Sequence, residues 1–156
     1  MIVVAGPPGS GKSSLFPVSE TGLDSFNADD RAAELNGGSY QSISPEIRAQ
    51  VRRQLEKFIA DHIHDRRSFA YETTLRTAIT FTQADEARAN GFLTVLLYVA
   101  LDDVELNISR VAVRADRGGH SALAGSASMK NIGRAIQEFD QVKAEGAPAW
   151  LLEVQG

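Results

Sequence analysis

Eight consecutive residues near the start of the chain carry the strongest chemical signal. Gly6-Pro7-Pro8-Gly9-Ser10-Gly11-Lys12-Ser13, followed by Ser14, fits the spacing G-x-x-x-x-G-K-[ST]. Glycines at 6, 9 and 11 let the backbone wrap so that its N–H groups face an anion, and a helix beginning where the loop ends adds the positive end of its dipole. Lys12 then reaches the β- and γ-phosphates of a nucleotide, while Ser13 offers its hydroxyl to Mg²⁺, a hard cation that takes oxygen ligands. The rival reading is a chance glycine turn. Against it stands the context: an apolar run before the segment and a helix-compatible run after it.

Polar residues at the carboxyl ends of strands come next, because ligands of open parallel sheets sit there. Asn27-Ala-Asp29-Asp30-Arg31 follows a strand-like run, and Asp29 either takes a proton from an acceptor hydroxyl or caps the helix that follows. Glu72-Thr73-Thr74-Leu75-Arg76 closes another such run, where Glu72 either orients a substrate hydroxyl or ends the strand in solvent. Arg110, Arg114 and Arg117 are spaced four and three apart and so share a helix face; such a stripe closes over a phosphoryl group or faces water. His120 has no His or Cys at ligand spacing, which argues against a metal role, and His62 and His64 are assigned to the surface or edge of a helix.

These residues need elements to hold them. Ile2 to Ala5, Ser68 to Glu72 and Phe92 to Leu101 read as strands covered on both faces, with weaker candidates at Leu23 to Asn27 and Trp150 to Val154. Between them, Pro45 to about Arg66 predicts a helix with Ser44 as N-cap and Ile47, Val51, Leu55, Phe58, Ile59 and Ile63 on one apolar face. Ala78 to Asn90 predicts another, stopped at Gly91; a third starts at Asp102 or Asp103 and runs to about Arg117, and a fourth spans Ser128 to Lys143. Pro17 should cut the helix after the glycine-rich loop early. Gly118 to Ser128 reads as a loop. Strands alternating with helices predict an α/β class with a parallel sheet and helices on both faces.

With 156 residues, 43% of them hydrophobic, the chain can bury one substantial core, and a single domain over 1–156 is expected. The formal charge of −4, from 16 Lys and Arg against 20 acids, argues against a nucleic-acid groove or an anionic membrane as partner. The absence of cysteine excludes disulfides, thiolate metal sites and cysteine nucleophiles. No apolar stretch approaches the roughly 20 residues needed to span a bilayer, and the Met-Ile-Val-Val-Ala start lacks a secretory pattern, so a cytoplasmic location is expected.

Taken together, the Gly6 to Ser13 loop, Phe26-Asn-Ala-Asp-Asp, Glu72-Thr-Thr-Leu-Arg and Arg110-Val-Ala-Val-Arg114-Ala-Asp-Arg117-Gly-Gly-His120 resemble the zeta toxin family of P-loop kinases, over roughly residues 1 to 140. Ser128-Met-Lys-Asn-Ile is similar to a Ser-Leu-Arg-Asn-Leu segment of that family. The resemblance implies a P-loop NTPase fold and transfer of the γ-phosphate of ATP, with Mg²⁺, to a hydroxyl. In the best-known members the acceptor is UDP-N-acetylglucosamine. It further implies Asp29 as general base and Lys12 and Ser13 as phosphate and Mg²⁺ residues. Glu72 and Thr73 fall in the acceptor-contacting segment, where Arg76 can meet a diphosphate. Arg110 and Arg114 supply charge to the transferring phosphoryl group, and an antitoxin is implied as a partner. The chain departs from the family between His120 and Ser128, where an acidic-proline turn and an arginine-rich helix are replaced by Ser121 to Ala127, and in carrying Arg31. Two other readings follow from the same residues: a kinase for a nucleoside, sugar or antibiotic, and a nucleotide-binding protein with degraded transfer.

Overall fold

The computed structural model describes residues 1–75, 79–100 and 151–155. Five strands form one sheet: β1 (Ile2–Ala5), β2 (Asp24–Phe26), β3 (Phe69–Thr73), β4 (Val95–Ala100) and β5 (Leu151–Gln155), in the order β2-β3-β1-β4-β5. Every neighbouring pair is parallel. The expected α/β class and strand runs therefore hold, β1 unchanged and the other boundaries moved by one to three residues. Parallel neighbours require crossovers, and the helices supply them: α1 (Lys12–Leu15), α2 (Ala28–Leu35), α3 (Pro45–His64) and α4 (Ile79–Ala89), with a 3₁₀ turn at Val18–Glu20.

Side chains alternate across the sheet, so β1 divides its residues between two cores. Val3 and Ala5 join Phe69, Tyr71, Leu96 and Tyr98 on one face, covered by Ile59 and Ile63 of α3 and Ala84 and Ala87 of α4. Val4 and Ala70 turn to the other face, against Val18, Phe16 and Leu23. Helical structure therefore covers both faces, and β1, flanked by β3 and β4, ends deep in the middle of the sheet.

The helix boundaries follow from their end groups. Ser44 Oγ accepts the Ile47 N–H at 3.3 Å and Pro45 opens α3, as expected. At the far end Arg66 adopts a left-handed conformation (φ 55°), so that the N–H groups of Arg66 and Arg67 close on the carbonyls of Ile63 and His62. The helix thus stops before Arg66. The same device ends α4: Gly91 (φ 86°) donates to Arg88 O at 2.9 Å and Phe92 to Ala87 O at 3.0 Å. Because the Phe92 N–H belongs to this cap, β4 begins at Val95 and not at Phe92.

His62 corrects the sequence reading. It is buried (4% exposed), its ring 4.1 Å from that of Phe58, with Nδ1 2.7 Å from Phe58 O and Nε2 3.2 Å from the Asp24 carboxylate. Its place on α3 one residue from Ile63 puts it over β2, where Asp24 supplies the partner that a buried ring nitrogen requires. His64, two residues on, is exposed. The helices expected from Asp102 or Asp103 to Arg117 and from Ser128 to Lys143, and the loop at 118–128, lie outside the described residues. Among the described residues no helix is long and apolar enough to cross a membrane.

Candidate functional site

The chain leaves β1 at Ala5 and turns immediately through Gly6, whose φ of 144° is closed to residues with a side chain. Space forbids one as well, since a Cβ on Gly6 would lie 2.1 Å from the Val99 carbonyl oxygen. Pro7 O then accepts from Ser10 N–H at 3.3 Å, and Gly11, in the left-handed region (φ 94°), starts α1. That helix has four residues and ends at Leu15, with Phe16 as its C-cap before Pro17, as the early proline predicts. Gly6 to Ser14 is thus a strand–loop–helix unit of the kind that cradles phosphates. The Ser10 hydroxyl, 1% exposed, has no partner among the described residues.

Lys12 is not surface-facing, as a free loop residue would be. It is 6% exposed and its Nζ donates to Pro7 O at 3.1 Å, so the ammonium folds back over the loop it belongs to. Its other neighbour is Glu72 on β3, with Nζ 3.7 Å from Oε1. The register explains the meeting: β3 lies beside β1 with Glu72 opposite Val4 and Thr73 opposite Ala5, so the carboxylate emerges level with the start of the loop. Ser13 Oγ donates to Glu72 Oε2 at 3.0 Å. Glu72 therefore neither ends its strand in open solvent, its side chain being 11% exposed, nor stands apart from the loop.

Ser13 and Glu72 are the described residues whose oxygens could hold Mg²⁺ beside a phosphate. Both present hard oxygens, and adjacent ligands of an octahedral Mg²⁺ with Mg–O near 2.05 Å stand about 2.9 Å apart. The observed 3.0 Å between Ser13 Oγ and Glu72 Oε2 matches that edge.

Asn27 is a residue beside Glu72 that the sequence reading gave no role. Its Oδ1 accepts the N–H groups of Asp29 (2.9 Å) and Asp30 (3.4 Å), making it the N-cap of α2, and its Nδ2 points to Glu72 Oε2 at 3.5 Å. The capping role open to Asp29 is thus taken by Asn27, and Asp29 sits half-buried in the first turn. Asn followed by two acids is an N-terminal helix signature legible in the sequence. Thr73 Oγ1 accepts from Leu75 N–H at 3.2 Å and shapes the turn out of β3. Arg76, Arg110 and Arg114 lie outside the described residues.

A cavity of about 340 Å³ opens beside Ser13 and Glu72, bounded by the chain after α1, the end of β2 and one face of α2. Asn27, Asp30, Arg31 and Glu34, at spacings of three, one and three, supply that face. Asp30 accepts from Tyr40 Oη at 2.9 Å, and this hydrogen bond to a carboxylate raises the Tyr40 phenol above its ordinary pKa. Arg31 is held by Gln54 of α3, Nε to Oε1 at 2.9 Å, and by Glu34, Nη1 to Oε2 at 2.6 Å.

The profile of the AAA domain family matches residues 1–139. The chain belongs to that family. An uncharacterised protein of Haemophilus influenzae is 27% identical over 120 residues, 76% of this chain and 83% of its own. Among solved structures, a candidate kinase from Chloroflexus aurantiacus is similar over 99% of this chain and 86% of its own, at 18% identity and a TM-score of 0.69. The structure of the PezAT chromosomal toxin–antitoxin system of Streptococcus pneumoniae gives 0.68 at 14% identity, covering 99% of this chain and 68% of that one. Shikimate kinase from Acinetobacter baumannii, in complex with shikimate, gives 0.57 at 16% identity, over 99% and 83%. The AAA domain chain described here has the α/β fold of P-loop kinases.

Proposed function

We propose that this AAA domain protein is an ATP- and Mg²⁺-dependent phosphotransferase acting on the hydroxyl of a small molecule. The observation that carries the reading is the convergence of Lys12, Ser13 and Glu72, from a glycine-rich loop and the adjacent parallel strand, at the mouth of a ligand-sized cavity. Gly6, Pro7, Pro8, Gly9, Ser10, Gly11 and Ser14 complete the loop that wraps the phosphates, and Lys12 neutralises their charge. Ser13 and Glu72 would hold Mg²⁺, which would draw charge from the phosphate oxygens. The acceptor oxygen forms a bond to the γ-phosphorus as the bond to the β–γ bridging oxygen breaks and ADP leaves. Asp29 takes the hydroxyl proton. Arg110 and Arg114 keep their proposed role as cations over the transferring group.

The zeta toxin resemblance supports a finer reading, a nucleotide-activated sugar such as UDP-N-acetylglucosamine bound near Glu72, Thr73 and Arg76, with an antitoxin as partner. A single domain spanning 1–156 is part of the same proposal. Thermal unfolding with and without Mg-ATP, followed by ATP turnover with hydroxyl acceptors, tests the reading. Mg-ATP should stabilise the parent and not Lys12→Ala, and turnover should rise with acceptor. Equal stabilisation of both proteins would refute the loop assignment; binding without acceptor-dependent turnover would leave a nucleotide-binding protein that has lost transfer.

A further inference from the structure

Arg31 interrupts the pattern of the resembling family, and its surroundings say what it does to the cavity. Alone it would be a natural anchor for an anionic acceptor, because a guanidinium grips phosphate through two parallel N–H donors. A guanidinium has two such paired edges, Nε with Nη2 and Nη1 with Nη2. Here Gln54 takes Nε at 2.9 Å and Glu34 takes Nη1 at 2.6 Å, so two of its three nitrogens already donate within the protein. Glu34 also offsets the charge.

Asp30, on the same face one residue earlier, is fixed through Oδ1 by Tyr40. The described wall of the cavity thus holds three carboxylates, Asp30, Glu34 and Glu72, against one guanidinium, with the hydroxyls of Ser19 and Ser25 beside them. Glu72 serves the metal side in the reading above. Among the described residues, what remains at the acceptor end are acceptors of hydrogen bonds, a guanidinium with two partners of its own and small hydroxyls. Such a set pairs with hydroxyl or ammonium groups and repels phosphate. The volume, about 340 Å³, suits a small polar ligand.

We propose that the Asp30–Arg31–Glu34 face of α2 makes this cavity selective for an uncharged or aminated polyol, a sugar or amino sugar, over a phosphorylated one. The proposal rests on the phosphotransferase reading and narrows its acceptor class, away from a nucleotide-activated sugar. Gln54 and Tyr40 are positioning residues: each fixes a cavity side chain from outside the cavity.

The test is a binding titration by calorimetry, with the full chain, Mg²⁺ and a non-hydrolysable ATP analogue present. The probes are glucose, glucosamine and glucose 6-phosphate, larger sugars in matched uncharged, aminated and phosphorylated forms, and UDP-N-acetylglucosamine. Uncharged and aminated members should bind, with phosphorylated counterparts at least about tenfold weaker. Asp30→Asn should erase any preference for aminated over uncharged members. Glu34→Gln, by removing the carboxylate charge that offsets Arg31, should strengthen phosphorylated members several-fold, an opposite sign that general damage to the fold would not produce. Phosphorylated members or UDP-N-acetylglucosamine binding as tightly as the others would overturn the proposal, and so would the failure of every uncharged and aminated member to bind. Stabilisation by the Mg²⁺–ATP analogue without acceptor is read in the same samples: its absence sinks the kinase reading itself, while its presence with a phosphorylated preference sinks only the selectivity.

Discussion

Replacing Glu72 with Gln separates a carboxylate that holds Mg²⁺ from one that contacts the acceptor. The change keeps shape and removes one charge lying 3.0 Å from Ser13 Oγ and 3.7 Å from Lys12 Nζ. At an effective dielectric of about 20, a pair at 3.7 Å has a gross attraction of about 4.5 kcal/mol, of which desolvation of both groups cancels a large part. A net of about 1–2 kcal/mol would remain to compete with the phosphates for Lys12. Two effects of opposite sign follow. With Mg²⁺ present, loss of the anionic ligand charge should weaken the apparent Mg²⁺ affinity by roughly 10–100-fold and turnover with it. In EDTA, metal-free ATP should bind about 5–30-fold more tightly than to the parent, because its phosphates no longer compete with Glu72 for Lys12. Calorimetric titration of ATP in the two buffers reads both. If neither affinity changes and only the acceptor KM rises, Glu72 belongs to the acceptor and the metal assignment is wrong.

The other predictions concern the base, the loop and the core. Asp29→Asn should lower turnover by ~10²-fold or more with Mg-ATP affinity nearly unchanged, since Asn27 and not Asp29 caps α2; a change of only a few-fold would remove Asp29 from proton transfer. Gly6→Ala places a Cβ 2.1 Å from Val99 O at a φ of 144°, and should lower stability by roughly 2–4 kcal/mol in denaturant titration, the strain and the displaced β4 carbonyl adding together. An unchanged midpoint would mean that the loop relaxes freely. His62→Ala removes a buried ring and leaves the Phe58 carbonyl without its side-chain partner, at an expected cost of roughly 2–4 kcal/mol, measured the same way. Burial raises the Tyr71 phenol above its ordinary value near 10, so its contribution to stability is intact below pH 10 and is lost as pH climbs through the raised folded value. Tyr71→Phe should flatten that alkaline loss in urea titrations; an unchanged alkaline slope would refute the assignment.

The local sequence was enough to specify the loop and most of the elements. Gly6 to Ser13 declares itself because the residue types at fixed spacing are the chemistry: glycines for backbone reversal, Lys12 for charge, Ser13 for an oxygen. Ser44-Pro45 and Gly91 mark helix ends because capping is settled within a few residues, and Pro17 limits α1 for the same reason. Pairing across the sheet is not written in any short segment. Glu72 meets Ser13 and Lys12 only because β3 is laid beside β1 with Glu72 opposite Val4, a register fixed by the burial of Val3, Ala5, Phe69 and Tyr71 against α3 and α4. His62 is buried because β2 brings Asp24 to it, 38 positions away along the chain. Arg31 sits in the sequence after two acids and three residues before Glu34, and only the fold adds its second partner, because Gln54 reaches it from α3. Short-range sequence sets what each residue can do, and tertiary packing, by choosing its neighbours, decides which of those things it does.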